Sequence, residues 1–218
     1  MTGPGRARRF HLGAALLLLA AAWVLDGFLT RSMAWHMLVH IPMLIAAGAW
    51  AGAGLAGAGS PKGARPGSAF AALGKYNEHG LPGLLLFSFI GAYWMIPRSL
   101  DDAVTSAASQ GFKYATLVLA GMLLIHSLRR ANAIIVVFFL GNFSWMTAIV
   151  GLLYQEYPAR LCNVYLLGDQ EIAGRGLVAW AILLPLAWFM IERRRPRSLL
   201  AGADAPTVKG NTNVDGRK

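Results

Sequence analysis

Two histidines and three methionines share one face of the apolar segment that runs from Arg31 to Gly48. His36 and His40 are four residues apart, so on a helix their imidazoles lie one turn apart on the same side. At about 100° per residue the same face also carries three methionines: Met33, Met37 and Met43. Imidazole suits Zn, Cu, Fe and Ni, whereas the softer thioether favours Cu(I). The segment therefore predicts a metal site, with copper as the metal that suits both kinds of donor.

Two other interpretations of these histidines remain open, namely structural hydrogen bonding and proton handling. Polar groups inside a membrane are costly without partners, so two stacked imidazoles indicate a role beyond packing. Pro42 has no N–H to donate to the carbonyl of Leu38, and we expect the helix to loosen beside His40.

Two imidazoles do not complete a metal site, so further ligands must come from other segments or from a partner protein. Asp26, near the end of the first apolar run, is the first candidate, because an intramembrane acid is by default a functional hypothesis. Its structural alternative is an ion pair with Arg31 or Arg175. Cys162, the only cysteine, lies in a connection near the same end and either ligates the metal or is inert.

The elements that position these residues are six apolar runs. Hydrophobic residues make up 56% of the 218 and charged residues only 14%, against roughly 45–50% and about 25% in soluble domains. The runs are 15 to 27 residues long, against about 20 for a membrane span: 10–30, 33–59, 81–97, 114–128, 131–154 and 173–191. After the third run, Ser99 and Asp102 resemble a capping box and predict a short interfacial helix. We predict an all-α, polytopic transmembrane bundle, with no nucleophile arrangement or phosphate loop to suggest an enzyme.

The basic residues predict the orientation of the bundle. Of the 20 Lys and Arg residues, 15 fall in the termini and the connections that share their side, which predicts that both termini are cytoplasmic. The net charge of +10 then divides into +11 inside and −1 outside, so lipid rather than nucleic acid is the expected counter-charge. Residues 1–9 form a basic N-terminus, 10–191 the six-span domain and 192–218 a basic tail predicted to be disordered. Cleavage of the first run as a signal peptide is the alternative.

Two segments resemble the CtaG-like cytochrome c oxidase assembly proteins. MAWHMLVHIPMLIAAG is similar to that family's HM-x-x-H segment with a downstream proline, and LLGDQEIAGRGLVAW to its DQ-x-x-AG-x-x-x-W segment at the start of a late helix. The similarity extends from Met33 to Trp180. It implies a multi-pass protein of a bacterial-type inner membrane that helps to mature the copper centre of heme–copper oxidases. Its expected partners are the oxidase subunit that carries the copper centre and a periplasmic copper carrier.

The residues that match the family's motifs are His36, His40, Asp169 and Gln170. The resemblance then implies that the two histidines hold Cu(I), assisted by one of the methionines and by Asp26. Asp169 and Gln170 are expected to orient an imidazole through its second nitrogen.

Three rival functions remain. A heme-binding oxidoreductase needs two histidines on facing helices, for which His79 and His126 are the available pair. A small-solute transporter is suggested by the Gly- and Pro-interrupted second run. A metal-independent assembly scaffold is the third.

Overall fold

The structure, a computed structural model, describes residues 4–56, 77 and 79–194. Within those residues the chain is helical and has no β-strand, which confirms the all-α prediction. The described helices, in chain order, are α1 (Pro4–Val24), α2 (Asp26–Leu29), α3 (Met33–Trp35), a π-helical turn (His36–His40), α4 (Ile41–Ala56), α5 (Leu81–Trp94), α6 (Pro97–Thr105), α7 (Ala107–Leu128), α8 (Ala133–Glu156) and α9 (Leu167–Arg194).

Five helical segments of the described chain are long and apolar enough to cross a membrane. They are Gly5–Val24, Met33–Leu55, Ala107–Leu128, Ala133–Glu156 and Leu167–Arg193. A sixth crossing is present if α5 and α6, which are bent by 74° where they meet, are counted as one span. The described residues therefore contain five or six candidate spans, as expected of a multi-pass helical bundle.

Several helices begin elsewhere than predicted: α1 begins at Pro4 rather than at residue 10, and α9 at Leu167 rather than at residue 173. The starts of α6 and α7 also differ. Helix α6 begins at Pro97 rather than after Ser99, because proline is preorganised for the first helical position. Helix α7 begins at Ala107, seven residues before the predicted start at Tyr114. Its N-cap is Ser106, whose hydroxyl accepts a hydrogen bond from the backbone N–H of Ser109. This early start places Lys113, which we had assigned to an outer connection, inside a helix.

Helix α4 lies at the centre of the bundle and packs most extensively on α7 and α1. Two glycines permit the close approach to α7. A Cβ atom at Gly48 would overlap the carbonyl oxygen of Val118, and one at Gly121 would overlap that of Ile45. Small residues are what allow helix backbones to approach closely in a membrane. This contact fixes α7, and with it Lys113, against the segment that carries the histidines.

The chain divides into two compact units, of which residues 1–185 are the first. The second begins at Leu186 and includes the end of α9, where the guanidinium of Arg193 lies 4.3 Å from the centre of the Phe189 ring. The start of α1 at Pro4 makes the basic residues 6–9 helical. Residues 195–218 of the predicted tail and most of the second-to-third connection lie outside the described residues.

Candidate functional site

The two histidines occupy the first and last positions of the π-helical turn. Both side chains are fully buried, and their ring centroids are 5.5 Å apart. The backbone N–H of Ile41 donates to the carbonyl of His36, five residues earlier, which is the π pattern. The turn directly precedes Pro42, whose missing N–H weakens the regular helical ladder there. The predicted loosening of the helix beside His40 is thus present. Both imidazoles lie on the face of the segment that is buried in the bundle.

A lysine that the sequence analysis did not identify joins the two imidazoles. The Lys113 side chain is fully buried, and its Nζ lies 3.2 Å from His36 Nε2 and 3.5 Å from His40 Nδ1. An ammonium group only donates hydrogen bonds, so both of these ring nitrogens act as acceptors. Each imidazole is therefore neutral, with its proton on the other nitrogen: Nδ1 of His36 and Nε2 of His40.

Asp26 completes the charge balance of this cluster. Its Oδ1 lies 3.4 Å from Lys113 Nζ and 3.6 Å from His40 Nε2. The side-chain amide of Gln110 donates to Oδ2 at 2.8 Å, and the Tyr114 hydroxyl approaches Oδ1 at 3.2 Å. The partner of Asp26 is thus Lys113, rather than Arg31 or Arg175 as the alternative proposed. About 18% of the Asp26 side chain is exposed, whereas His36, His40 and Lys113 are fully buried.

Tyr165 is the partner of the other nitrogen of His36. The protonated Nδ1 donates to the Tyr165 hydroxyl at 2.8 Å, and Tyr165 is almost fully buried. Burial raises the pKa of Tyr165, so its hydroxyl stays protonated. We had expected Asp169 or Gln170 to orient an imidazole. The structure instead gives that contact to a tyrosine in the connection between α8 and α9.

Gln170 holds this connection in place. Its side-chain oxygen accepts a hydrogen bond from the Leu161 N–H at 2.8 Å, and its amide donates to the Tyr154 carbonyl at 3.1 Å. Asp169 is partly exposed at the start of α9 and lies close enough to Tyr165 to interact with it electrostatically. Gln170 thus acts on the histidines only through the loop that carries Tyr165.

Asp101 holds the same connection from α6. Its two carboxylate oxygens accept hydrogen bonds from the backbone N–H groups of Asn163, at 2.7 Å, and Val164, at 3.4 Å. Cys162, directly before Asn163, is buried, and its thiol donates to the Pro97 carbonyl at 3.5 Å. Burial, together with the Asp101 carboxylate, raises the pKa of this thiol to about 12. Cys162 is therefore a protonated, packed side chain in this structure.

The three methionines occupy hydrophobic clusters beside the polar groups. Met33 and Met37 are buried in a cluster that also contains Tyr154, Cys162 and Tyr165. Met43 is partly buried on a second cluster, which is built around four apolar side chains and one tryptophan: Ala22, Leu44, Ala103, Leu117 and Trp94.

The donors that face Lys113 are suitable for a soft or borderline metal, although no preformed ligand set is present. Among the described residues, no group of three or more His, Cys, Asp or Glu side chains has the geometry to hold a metal ion. Two unprotonated imidazole nitrogens and one carboxylate oxygen nevertheless converge on a single cation, the Lys113 ammonium. Imidazole nitrogens of this kind are ligands for copper and zinc.

The histidine pair that we considered for heme shows no such convergence. His79 is exposed, whereas His126 is half-buried, and its Nε2 has no hydrogen-bond partner in the described part of the chain. The site that the fold assembles is the cluster around Lys113. No family model, no curated protein and no solved structure matches this chain.

Proposed function

We propose that this membrane protein carries Cu(I) as cargo between His36 and His40 and helps to place it in a heme–copper oxidase. The observation that supports this most directly is the convergence of His36 Nε2 and His40 Nδ1 on one buried cation, with the Asp26 carboxylate on its other side. Imidazole is a ligand for copper, and the nearby thioethers favour its Cu(I) state. The oxidase as client follows from the resemblance of two segments to the CtaG-like assembly proteins.

The surroundings of the site support a carrier rather than an enzyme. The hydrogen bond from His36 to Tyr165 fixes the tautomer that leaves Nε2 free to bind a metal. His40 is fixed in the same way, because its protonated Nε2 lies 3.3 Å from the Tyr114 hydroxyl and 3.6 Å from Asp26. Met33 and Met37 lie in the neighbouring hydrophobic cluster, so a thioether ligand requires a change of methionine rotamer.

We further propose that both termini are cytoplasmic, which places the cluster in the outer half of a bacterial-type inner membrane. By sequence, 15 basic residues lie on the proposed cytoplasmic side and five on the outer side, of which Arg98, Lys113 and Arg175 lie within helices. Asp26 then offers the cluster's partly exposed side to a copper carrier from outside. A cytoplasmic fluorescent reporter fused to the C-terminus is expected to be active, whereas a periplasmic phosphatase at that position is expected to be inactive.

The oxidase role is tested in cells that express this protein together with a heme–copper oxidase. Oxidase purified from cells with His36→Ala/His40→Ala is expected to lack most of its copper while keeping its heme. The matched control is His126→Ala, a histidine of α7 outside the cluster. Full copper occupancy in the presence of the double variant would contradict the proposal.

A metal-independent scaffold is the second candidate, and one observation favours it. Lys113 already satisfies both imidazoles and Asp26, so the cluster is a complete hydrogen-bonded network without a metal. If this is its whole function, His36→Gln/His40→Gln should impair oxidase assembly only as far as it lowers the amount of folded protein. A loss of assembled oxidase in proportion to the loss of folded protein would favour the scaffold. A selective loss of copper from the oxidase would favour the carrier.

A further inference from the structure

The Lys113 ammonium occupies the point to which both metal-binding nitrogens are directed. It lies 3.2 Å from His36 Nε2, 3.5 Å from His40 Nδ1 and 3.4 Å from Asp26 Oδ1. An ammonium has three N–H donors, and these three acceptors use all of them. The buried cluster is therefore a cation site that the protein fills with its own side chain.

We infer that Lys113 is a built-in competitor of the cargo metal, which must displace the Lys113 ammonium in order to bind. The positive charge of Lys113 then selects Cu(I) over divalent ions. This inference rests on the proposed function of His36 and His40 as copper ligands. Each imidazole has one lone pair in the plane of its ring, and a lone pair that accepts from the ammonium is not available to a metal. Copper and the ammonium group thus exclude each other at the two nitrogens.

The structure offers the displaced ammonium a second position. Asp26 is partly exposed, and its carboxylate also contacts Gln110. The lysine stem has four rotatable bonds, so the ammonium can leave the imidazoles and stay paired with the carboxylate. The imidazoles stay in place meanwhile, because Tyr165 and Tyr114 hold their other nitrogens.

Selectivity follows from the charge that remains nearby. A displaced ammonium beside Asp26 still repels a metal held by His36 and His40, and the repulsion doubles from a singly to a doubly charged ion. The electrostatic repulsion is therefore smaller for Cu(I) than for a divalent ion such as Zn²⁺, although both metals bind imidazole. Lys113 is in this sense a specificity-determining residue.

The test compares metal affinities of the purified full chain in detergent, measured by competition with chromophoric chelators under anaerobic, reducing conditions. Lys113→Leu removes the competitor and, unlike methionine, adds no thioether that could itself bind Cu(I). We expect it to bind Cu(I) about 10- to 100-fold more tightly than the wild type, because no ammonium then occupies the two imidazole nitrogens in the metal-free protein. Its affinity for Zn²⁺ should rise by a larger factor than its affinity for Cu(I). His126→Ala serves as the matched control and should leave both affinities unchanged.

Two failures are distinguishable. If His36→Ala/His40→Ala binds Cu(I) as the wild type does, the proposed copper site itself is wrong. If that variant loses Cu(I) while Lys113→Leu binds it no more tightly than the wild type, the copper site stands and the role of Lys113 is overturned. Equal gains for Cu(I) and Zn²⁺ would overturn the selectivity.

A spectroscopic measurement keeps the proposal testable if Lys113→Leu does not fold. Copper X-ray absorption of the wild type and of Lys113→Gln should show the same two imidazole ligands, because the displaced lysine is not bound to the metal. Loss of a nitrogen ligand in Lys113→Gln would show that Lys113 binds the copper, which contradicts its role as a competitor.

Discussion

Replacing Asp26 by asparagine is expected to destabilise the bundle, because it leaves the Lys113 ammonium buried without a counter-charge. The two charged groups are 3.4 Å apart, and Lys113 is fully buried. At an effective dielectric constant of about 20, unit charges at this distance attract each other by about 5 kcal/mol. Removing one partner of a buried ion pair costs about 3–5 kcal/mol. We expect the lower end, about 3 kcal/mol, because the two imidazoles still accept from the ammonium.

The reverse replacement should cost about as much. In Lys113→Met the Asp26 carboxylate keeps the contacts of Gln110 and Tyr114, but the buried ring nitrogens of His36 and His40 lose their donor. A loss of about 2–3 kcal/mol is expected, which is within the range for buried acceptors left unsatisfied. The double variant Asp26→Asn/Lys113→Met removes both charges, so its loss should stay near about 3 kcal/mol and below the sum of the single losses.

The assay is a double-mutant cycle on thermal unfolding in detergent, followed by the fluorescence of the seven tryptophans. Asp26→Asn should lower the Tm by roughly 6–12 °C, taking 2–4 °C per kcal/mol for a chain of this size. Asp102→Asn, an exposed acid on α6, is the matched control and should leave the Tm nearly unchanged. Losses that add in the double variant, with a coupling below about 0.5 kcal/mol, would refute the ion pair between α2 and α7.

Three further predictions concern the packing and the support of the site. Gly121→Ala should lower the Tm strongly, because the added Cβ overlaps a carbonyl oxygen of α4. Gly111→Ala, with open space around it, should be neutral or stabilising. Equal effects of the two variants on the Tm would contradict the close contact between α4 and α7. The thiol of Cys162, with a pKa of about 12, should resist iodoacetamide at pH 8, and rapid labelling at that pH would contradict its burial. The stability of the fold should fall as the pH rises from 9 towards 12, because the folded state holds the thiol proton more tightly than the unfolded state. Tyr165→Phe should cost about 1 kcal/mol of stability and weaken copper binding about 10- to 100-fold through the lost hydrogen bond to His36; unchanged affinity would show that this bond does not orient the ligand.

The sequence predicted the relation between the two histidines because it depends only on local geometry. Residues four apart share a helix face whether the helix is α or locally π, so His36 and His40 had to lie together. Asp26 was also identified, because an acid at the edge of an apolar run is costly without a partner. Its actual partner was missed, since that depends on which helix packs opposite.

Lys113 could not be placed because the helix that carries it was read as beginning at Tyr114. Apolar composition begins there, but the helix begins where its first N–H groups find a partner, at the N-cap Ser106. The sequence TSAASQGFKY contained this signal, and weighing the cap over the hydropathy would have put a lysine inside a span. An intramembrane lysine facing a histidine pair would then have been the first functional hypothesis.

The role of Tyr165 could not be predicted from local sequence patterns. Its contact with His36 spans 129 positions of the chain and depends on a connection whose path is set by Asp101 and Gln170. Gln170 was identified through a family motif, but its role lies in tying the loop rather than in touching an imidazole. The motif therefore did not specify what Gln170 contacts.

The most direct test of the copper site is the copper content of the purified chain after loading with Cu(I) under anaerobic conditions and removal of loosely bound metal by a weak chelator. The wild type and His126→Ala are expected to retain about one copper ion per chain, and His36→Ala/His40→Ala almost none. Equal copper content in all three proteins would contradict the assignment of His36 and His40 as the copper ligands.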